Sequence, residues 1–310
     1  MKLKKITTAI MLLLSSTAWS ADNSIYLDQA GDNSTITMTQ EGASNRIRSI
    51  QGPGTGNTTP SVIKGNNITV VIDQIGSGNV LNLGVDAATA SGGVDTNIKY
   101  KVTGNNAVAT IDSNNGGTGI SQSNRIDIDQ NGNNAIATVN MLGARNYLQV
   151  LQSGGANNKI DATVNASDVN ATVNQTAGAG NETTLNLTSG NGIVDIVSAG
   201  ASNITSVTQS GTGGPNGQYT KIDINGSGNT TSITQSGAFD QYVDVKIASA
   251  SNIVNINQSG GASAGQYAKL DISGAGGSNN VSITQQGSVD NIANIKIVGG
   301  SNTYTILQKN

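Results

Sequence analysis

The pair of side chains best suited to ionic or acid–base chemistry is Asp127 and Asp129, in the segment Asn124-Arg125-Ile126-Asp127-Ile128-Asp129-Gln130. Two neighbouring carboxylates can share proton-transfer work or hold a calcium ion. At i and i+2 of an alternating segment they lie on one face of a strand, with Ile126 and Ile128 on the other. The pair therefore reads as the solvated face of a strand. The chain has no His and no Cys, which removes the usual nucleophilic triads and zinc sites. The run Gly-Thr-Gly-Gly-Pro-Asn-Gly at 211–217 has the glycines of a phosphate loop but not the Lys-Ser/Thr that would follow them, and reads as a turn. The expectation is no enzyme, with no catalytic residue, cofactor or metal. An enzyme acting on polysaccharide from a β-helix would gather its acids in one cleft, and here they are spread along the chain.

What recurs instead is amide hydrogen-bonding chemistry. The pattern Asn-x5-Gln occurs at Asn23/Gln29, Asn45/Gln51, Asn124/Gln130, Asn146/Gln152, Asn203/Gln209, Asn229/Gln235, Asn252/Gln258, Asn279/Gln285 and Asn302/Gln308. In the C-terminal half these starts lie 23 to 27 residues apart. Between them runs a second unit: Gln218-Tyr219 to Ile224, Gln241-Tyr242 to Ile247, Gln266-Tyr267 to Ile272, and Asn291 to Ile297. Each repeat has two halves, and each half is a strand-like piece followed by a Gly/Ser/Asn-rich turn.

These pieces alternate with period two, the pattern of a strand. One face of 124–130 carries Asn124, Ile126, Ile128 and Gln130, and one face of 252–258 carries Asn252, Val254, Ile256 and Gln258. The second units place Thr220, Ile222 and Ile224, then Val243, Val245 and Ile247, then Leu270 and Ile272, on the inward face. Pro53, Pro60 and Pro215 all fall outside the pieces, as they must, since proline removes a ladder hydrogen bond. Spacers at about 52–65, 86–95, 113–123 and 210–217 read as projecting loops.

One coil buries about four aliphatic side chains, too few to offset the backbone entropy of ordering about twenty-three residues. Only a stack of coils supplies a continuous core and completes the backbone hydrogen bonds. The predicted fold is all-β, a solenoid with two strands per coil over 23–310 and about eleven coils, in a cross-β arrangement on assembly. Stacked coils lie ~4.7–4.9 Å apart, so an amide sits over an amide and bonds along the axis.

The second units also carry alternating charge. Their fourth position runs Lys221, Asp244, Lys269, Asn294, and their sixth Asp223, Lys246, Asp271, Lys296. Stacking then sets Lys against Asp from coil to coil. Exposed pairs of this kind are worth little in stability, and their value is in register. Asp28, Asp127, Asp129, Asp223 and Asp271 also interrupt aggregation-prone strands, either as gatekeepers that delay assembly or, the preferred reading, only as charges that keep a β-surface soluble. Tyr219, Tyr242 and Tyr267 form an outward aromatic stack or a sugar-binding stripe.

The 310 residues include 40 Gly, 11% charged and 3% aromatic residues, too few aromatics for an ordinary core. Residues 1–20 have the layout of an export signal: Lys2, Lys4 and Lys5, the apolar run Ile6–Leu14, then Ala18-Trp19-Ser20. The run is too short to span a bilayer, and no integral membrane segment is expected. Without 1–20, thirteen cations face nineteen acids, a net of −6, which disfavours nucleic acid as a partner. An exported chain without Cys has no disulfide to support it.

On these motifs the chain resembles the curlin repeat family of functional amyloids. Its motif, Ser-x5-Gln-x4-Asn-x5-Gln, is matched in full by Ser34, Gln40, Asn45 and Gln51. The resemblance covers most of 23–308 and is weaker across 86–122 and 153–200, and Val85 and Val164 stand where Gln is expected. It implies a homopolymeric extracellular fibre of the biofilm matrix of a Gram-negative bacterium. Such fibres serve adhesion and aggregation, and their subunits are exported through the periplasm and a dedicated outer-membrane pore. A second curlin would be a partner, and residues 21–33 would address the chain to the pore. With Asn302–Gln308 the last strand and Asn23–Gln29 close to the cleavage site, both edges are open to head-to-tail addition. The alternatives are a minor curlin that nucleates fibres and a monomeric β-helical adhesin that binds glycans. Lys246→Asp sets like charges against Asp223 and Asp271, so fibre growth should slow or the urea midpoint fall; unchanged growth and stability would refute a register role for these charges.

Overall fold

The computed structural model describes residues 9–12, 24–42, 44–48, 61–76, 78–86, 95–103, 106–114, 123–131, 134–211, 217–225, 228–237, 240–248, 251–260, 265–274, 278–287, 290–299 and 301–309. Among these there is no helix, and the strands form a parallel β-solenoid. Outside the first coils and the two long strands across 159–201, strands adjacent in sequence lie on opposite walls and each pairs in parallel with the next strand but one.

The first wall runs through Ile25–Tyr26, Ile47–Arg48, Leu81–Asp86, Val108–Asn114, Ile136–Leu142, the opening halves of Lys159–Ala179 and Glu182–Ala201, Ile204–Ser210, Thr231–Ser236, Val254–Ile256, Val281–Ile283 and Tyr304–Ile306. The second runs through Ala9–Leu12, Thr35–Gln40, Ile68–Gln74, Asp95–Val102, Ser123–Gln130, Arg145–Ala156, the closing halves of the same two long strands, Gln218–Asn225, Gln241–Ile247, Gln266–Ile272 and Asn291–Ile297. The two long strands, across 159–201, pass from wall to wall without a break in strand structure. The region least like the repeat motif thus forms full coils.

About nine turns are continuous on both walls among the described residues, from Ile68–Gln74 with Leu81–Asp86 to Gln266–Ile272 with Val281–Ile283. The repeats had suggested about eleven. The difference lies at the ends, where one coil is interrupted and the last is uncovered. In the interrupted coil, Ile47 aligns with Leu81 and Ser61–Lys64 aligns with Leu83–Asp86. One wall strand is thus split by residues 49–60. The spacer read at about 52–65 is shorter than expected, because Ser61 and Ile63 continue the inward alternation and are buried.

The core is a single column of aliphatic side chains. Ile126, Ile128, Ile222, Ile224, Val243, Val245, Ile247, Val254, Ile256, Leu270 and Ile272 are all buried. Tyr100 is the one buried ring among them, and burial pushes its phenol pKa far up while a hydrogen bond from Gln74 acts against the shift.

A local conformation sets the corner from the second wall to the first. The residue just before the inward Asn has positive φ in coil after coil: Ser44, Gly78, Asn157, Gly180, Ser202, Gly228, Ser251 and Ser301. Gly, Asn and Ser meet this demand at the least steric cost, and β-branched residues do not. At Gly228 (φ 77°) an added Cβ would lie 3.1 Å from Ser202 Cα in the coil below. Gly228→Val should therefore cost on the order of 1–3 kcal/mol, read as a lowered urea midpoint. An unchanged midpoint would show that this corner does not need the left-handed conformation.

Candidate assembly site

The inward amides stack into columns that begin and end at the corners. In the second-wall-to-first corner, Asn79 Nδ2 donates to Asn45 Oδ1 at 2.8 Å. Ala107 and Ala135, both buried and small, interrupt this column. It resumes at Asn158, and Asn181, Asn203, Asn229, Asn252 and Asn279 each donate to the preceding member at 2.6–3.5 Å. Asn302 donates to Asn279. The same corner holds glutamines in the N-terminal half: Gln40 donates to Gln74 at 3.0 Å and Gln175 to Gln152 at 3.1 Å.

In the opposite corner a glutamine column runs the other way. Gln209 donates to Gln235 at 3.3 Å, Gln235 to Gln258 at 2.9 Å, Gln258 to Gln285 at 2.7 Å and Gln285 to Gln308 at 2.7 Å. In these two long columns the asparagine donors from Asn181 to Asn302 point toward the N-terminal end and the glutamine donors from Gln209 to Gln285 toward the C-terminal end. Thr220 closes this corner, accepting from Gln209 at 2.6 Å and donating to Gln235 at 2.8 Å.

The repeated motif does not keep one phase. Asn124–Gln130 and Asn146–Gln152 lie in the second wall, where Asn124 donates to Asn146 at 3.0 Å. The five motifs from Asn203 onward lie in the first. Gln130 is buried beside Val102 and Gln152, and its amide has no partner among the described residues; Gln152 Nε2 donates to the Lys159 carbonyl instead. Gln29 aligns with Ile63 and donates to Ser34 Oγ at 2.8 Å. Asn23 and Gln51 lie outside the described residues. Asn79, Asn158, Asn181, Gln74 and Gln175 are column members that the motif missed, because the other end of each motif is aliphatic: Val85, Val164, Leu187, Ile68 and Val169. The Gly, Ser or Asn before each inward Asn was the available signal.

The charged positions pair in register: Lys221 with Asp244, Asp244 with Lys269, Asp223 with Lys246, Lys246 with Asp271, and Asp271 with Lys296. Lys269 Nζ meets Asp244 at 3.0 Å and Lys296 meets Asp271 at 3.9 Å, whereas Lys221 turns back to Asp195 at 3.5 Å. The hydrogen bond to Asp244 raises the Lys269 pKa above its ordinary value. Tyr219, Tyr242 and Tyr267 stack face to face, with centroids 4.9 and 4.8 Å apart and planes 9° from parallel. Each internal face is covered by the next ring, so the stripe presents ring edges to solvent.

No family model, curated protein or solved structure matches the chain. Among the described residues, no three His, Cys, Asp or Glu side chains group as metal ligands, and no helix is long and apolar enough to cross a membrane.

A carboxylate placed in the amide column tests its energetics. Asn229→Asp removes a donor and buries an acid between Asn203 and Asn252. Desolvation raises the folded-state pKa of such an acid above its unfolded value near ~3.9. The variant's stability should therefore be greatest below about pH 4 and fall as pH rises through the folded-state pKa. At neutral pH the loss should be several kcal/mol, on the order of the ~3–5 kcal/mol for an uncompensated buried charge. A denaturation series showing no pH-dependent difference from the parent chain would mean that the column is not buried.

Proposed function

We propose that this chain is a secreted, curlin-like structural subunit that adds head to tail into amyloid fibres of an extracellular matrix. The observation that carries this reading is that each coil is buried by the next one stacked on it. Val281 and Ile283 are 0% exposed, while Tyr304 and Ile306, one coil further in the same columns, are 48% and 46% exposed. One more coil would bury them, and a second copy can supply it. Followed through the register, Tyr304 lies in the column that starts at Ile25, and Gln308 in the column that starts at Gln29. Gln308, an exposed side chain, accepts a hydrogen bond from Gln285 and carries an Nε2 donor, while Gln29 Oε1 has no partner among the described residues. A copy entering in phase sets this donor against this acceptor. An added coil leaves a new open coil behind it, so growth continues without closure.

On this reading the chain is exported across both membranes of a Gram-negative cell, loses residues 1–20, and serves adhesion and aggregation alongside a second curlin. Ala9–Leu12 pairs with Thr35–Met38, so removing this segment also opens the second wall at its N-terminal edge. The test is dilution of residues 21–310 from denaturant, followed by amyloid-dye fluorescence and electron microscopy. The expected result is a lag and then seedable fibres, with Ile306→Lys slowing seeded growth at least ~10-fold and leaving the unfolding free energy within about 0.5 kcal/mol of the parent's, as for other surface changes. Prompt fibres that abolish another curlin's lag would assign the nucleator role. A stable, soluble, β-rich monomer would contradict the fibre reading and favour the adhesin.

A further inference from the structure

Tyr147, Asn170, Ile193 and Tyr219 take the same outward position in four successive coils. The two tyrosines are three strand spacings apart, ~14 Å, and the shorter side chains between them lie in a recess of about 410 Å³ that also reaches Ser123 and Arg125. Both tyrosines are braced on the side away from Ile193. The Arg125 guanidinium lies 4.2 Å from the centroid of Tyr147 and is held by Asp127 at 2.8 Å. Tyr219 rests on Tyr242. Each phenol therefore turns its other face toward the recess. Half-exposed Ile193 forms part of the floor. Arg145, Asp168 and Asn191 share one position in successive coils along the rim, and Asn191 donates to Asp168.

We propose that this recess binds a neutral pyranose unit of a glycan. A pyranose has an apolar C–H face that packs on an aromatic ring, and hydroxyls that both donate and accept. The rim supplies a guanidinium donor, a carboxylate acceptor and an amide that does both. The recess has the size and the mixture of apolar surface with a few convergent polar groups that small-molecule sites require. Arg145 is offset by Asp168, so the rim gives an anionic sugar no advantage. The function is additional to assembly: a fibre of such subunits would display one saccharide site per copy, on an outward face that axial stacking leaves open.

The test is saturation-transfer NMR on residues 21–310, assembled or soluble, with cellotetraose and maltotetraose as probes and glucuronate as the charged control. Ring-proton transfer to at least one neutral probe is expected, with binding at least ~10-fold weaker in Tyr147→Ala and Tyr219→Ala. Ile193→Tyr should abolish binding by filling the recess with a further ring of the stack, and, with Ile193 half-exposed, should keep the parent's circular-dichroism spectrum and urea midpoint. Tyr267→Ala, at the far end of the stack, should bind like the parent. Transfer from neither neutral probe, transfer from glucuronate alone, or binding that survives Ile193→Tyr would each overturn the proposal.

Discussion

A buried carboxamide needs both a donor and an acceptor, and in the two long columns it finds them one coil away in each direction. Everything else in the structure is arranged around that need. Leaving such a group unpaired in an apolar core costs on the order of 1–3 kcal/mol, and only another amide at the same height offers both bonds. The sequence must then restate the amide at every coil, and the walls must hold their register, because a one-residue slip would turn the amides outward and the solvated residues inward. The Asn column from Asn158 to Asn302 and the Gln column from Gln209 to Gln308 are the longest runs that satisfy this condition. Elsewhere the chain changes chemistry, with Ala107 and Ala135 in place of the Asn and Ile63, Val85, Ser113, Met141, Val164 and Leu187 in place of the Gln, or it leaves a buried amide without a partner among the described residues, as at Gln130, Gln218 and Gln266.

The corners turn this bonding rule into geometry. A left-handed residue before each inward Asn brings the chain around at the same height, and the tight stacking of Gly228 on Ser202 shows how little room the turn allows. The opposite polarity of the two columns matters at the ends. It gives the exposed Gln308 an Nε2 donor at one end of the column, while Gln29 Oε1 at the head has no partner among the described residues. The proposed addition of further copies at the ends, and not at the flanks, rests on this polarity.

The alternation of Ile126 and Ile128 with Asp127 and Asp129 was enough to predict the strands, their inward faces and the stacking. Those features follow from local period-two patterning, which a single segment displays in full. The phase of the repeat was less legible. Asn124–Gln130 and Asn252–Gln258 are alike as motifs and yet lie on opposite walls. Which wall a strand joins depends on the number of half-coils before it, and the coils across 159–201 carry only half of the motif each. The split strand at Ile47–Arg48 and Ser61–Lys64 was hidden for a similar reason: Gln51 completes a motif match in sequence, but Ile63 takes the inward place beside Gln29. The tyrosine stack was visible from spacing. The recess above it was not, since it is formed by the absence of rings at Asn170 and Ile193.

The chain has no Cys of its own, so paired cysteines report strand register directly. Ser232 and Asn255 are aligned neighbours on the outward face of the first wall, within the span of the Asn229–Asn252 and Gln235–Gln258 bonds. Ser232→Cys with Asn255→Cys should oxidise to an intrachain disulfide, whose Cα separation of ~4.4–6.8 Å suits adjacent strands. Ser232→Cys with Asn257→Cys, two residues and ~7 Å further along the strand, should stay reduced under the same conditions. Selective closure of the aligned pair is what the amide register predicts. Equal closure of both pairs, or closure of the offset pair alone, would contradict it.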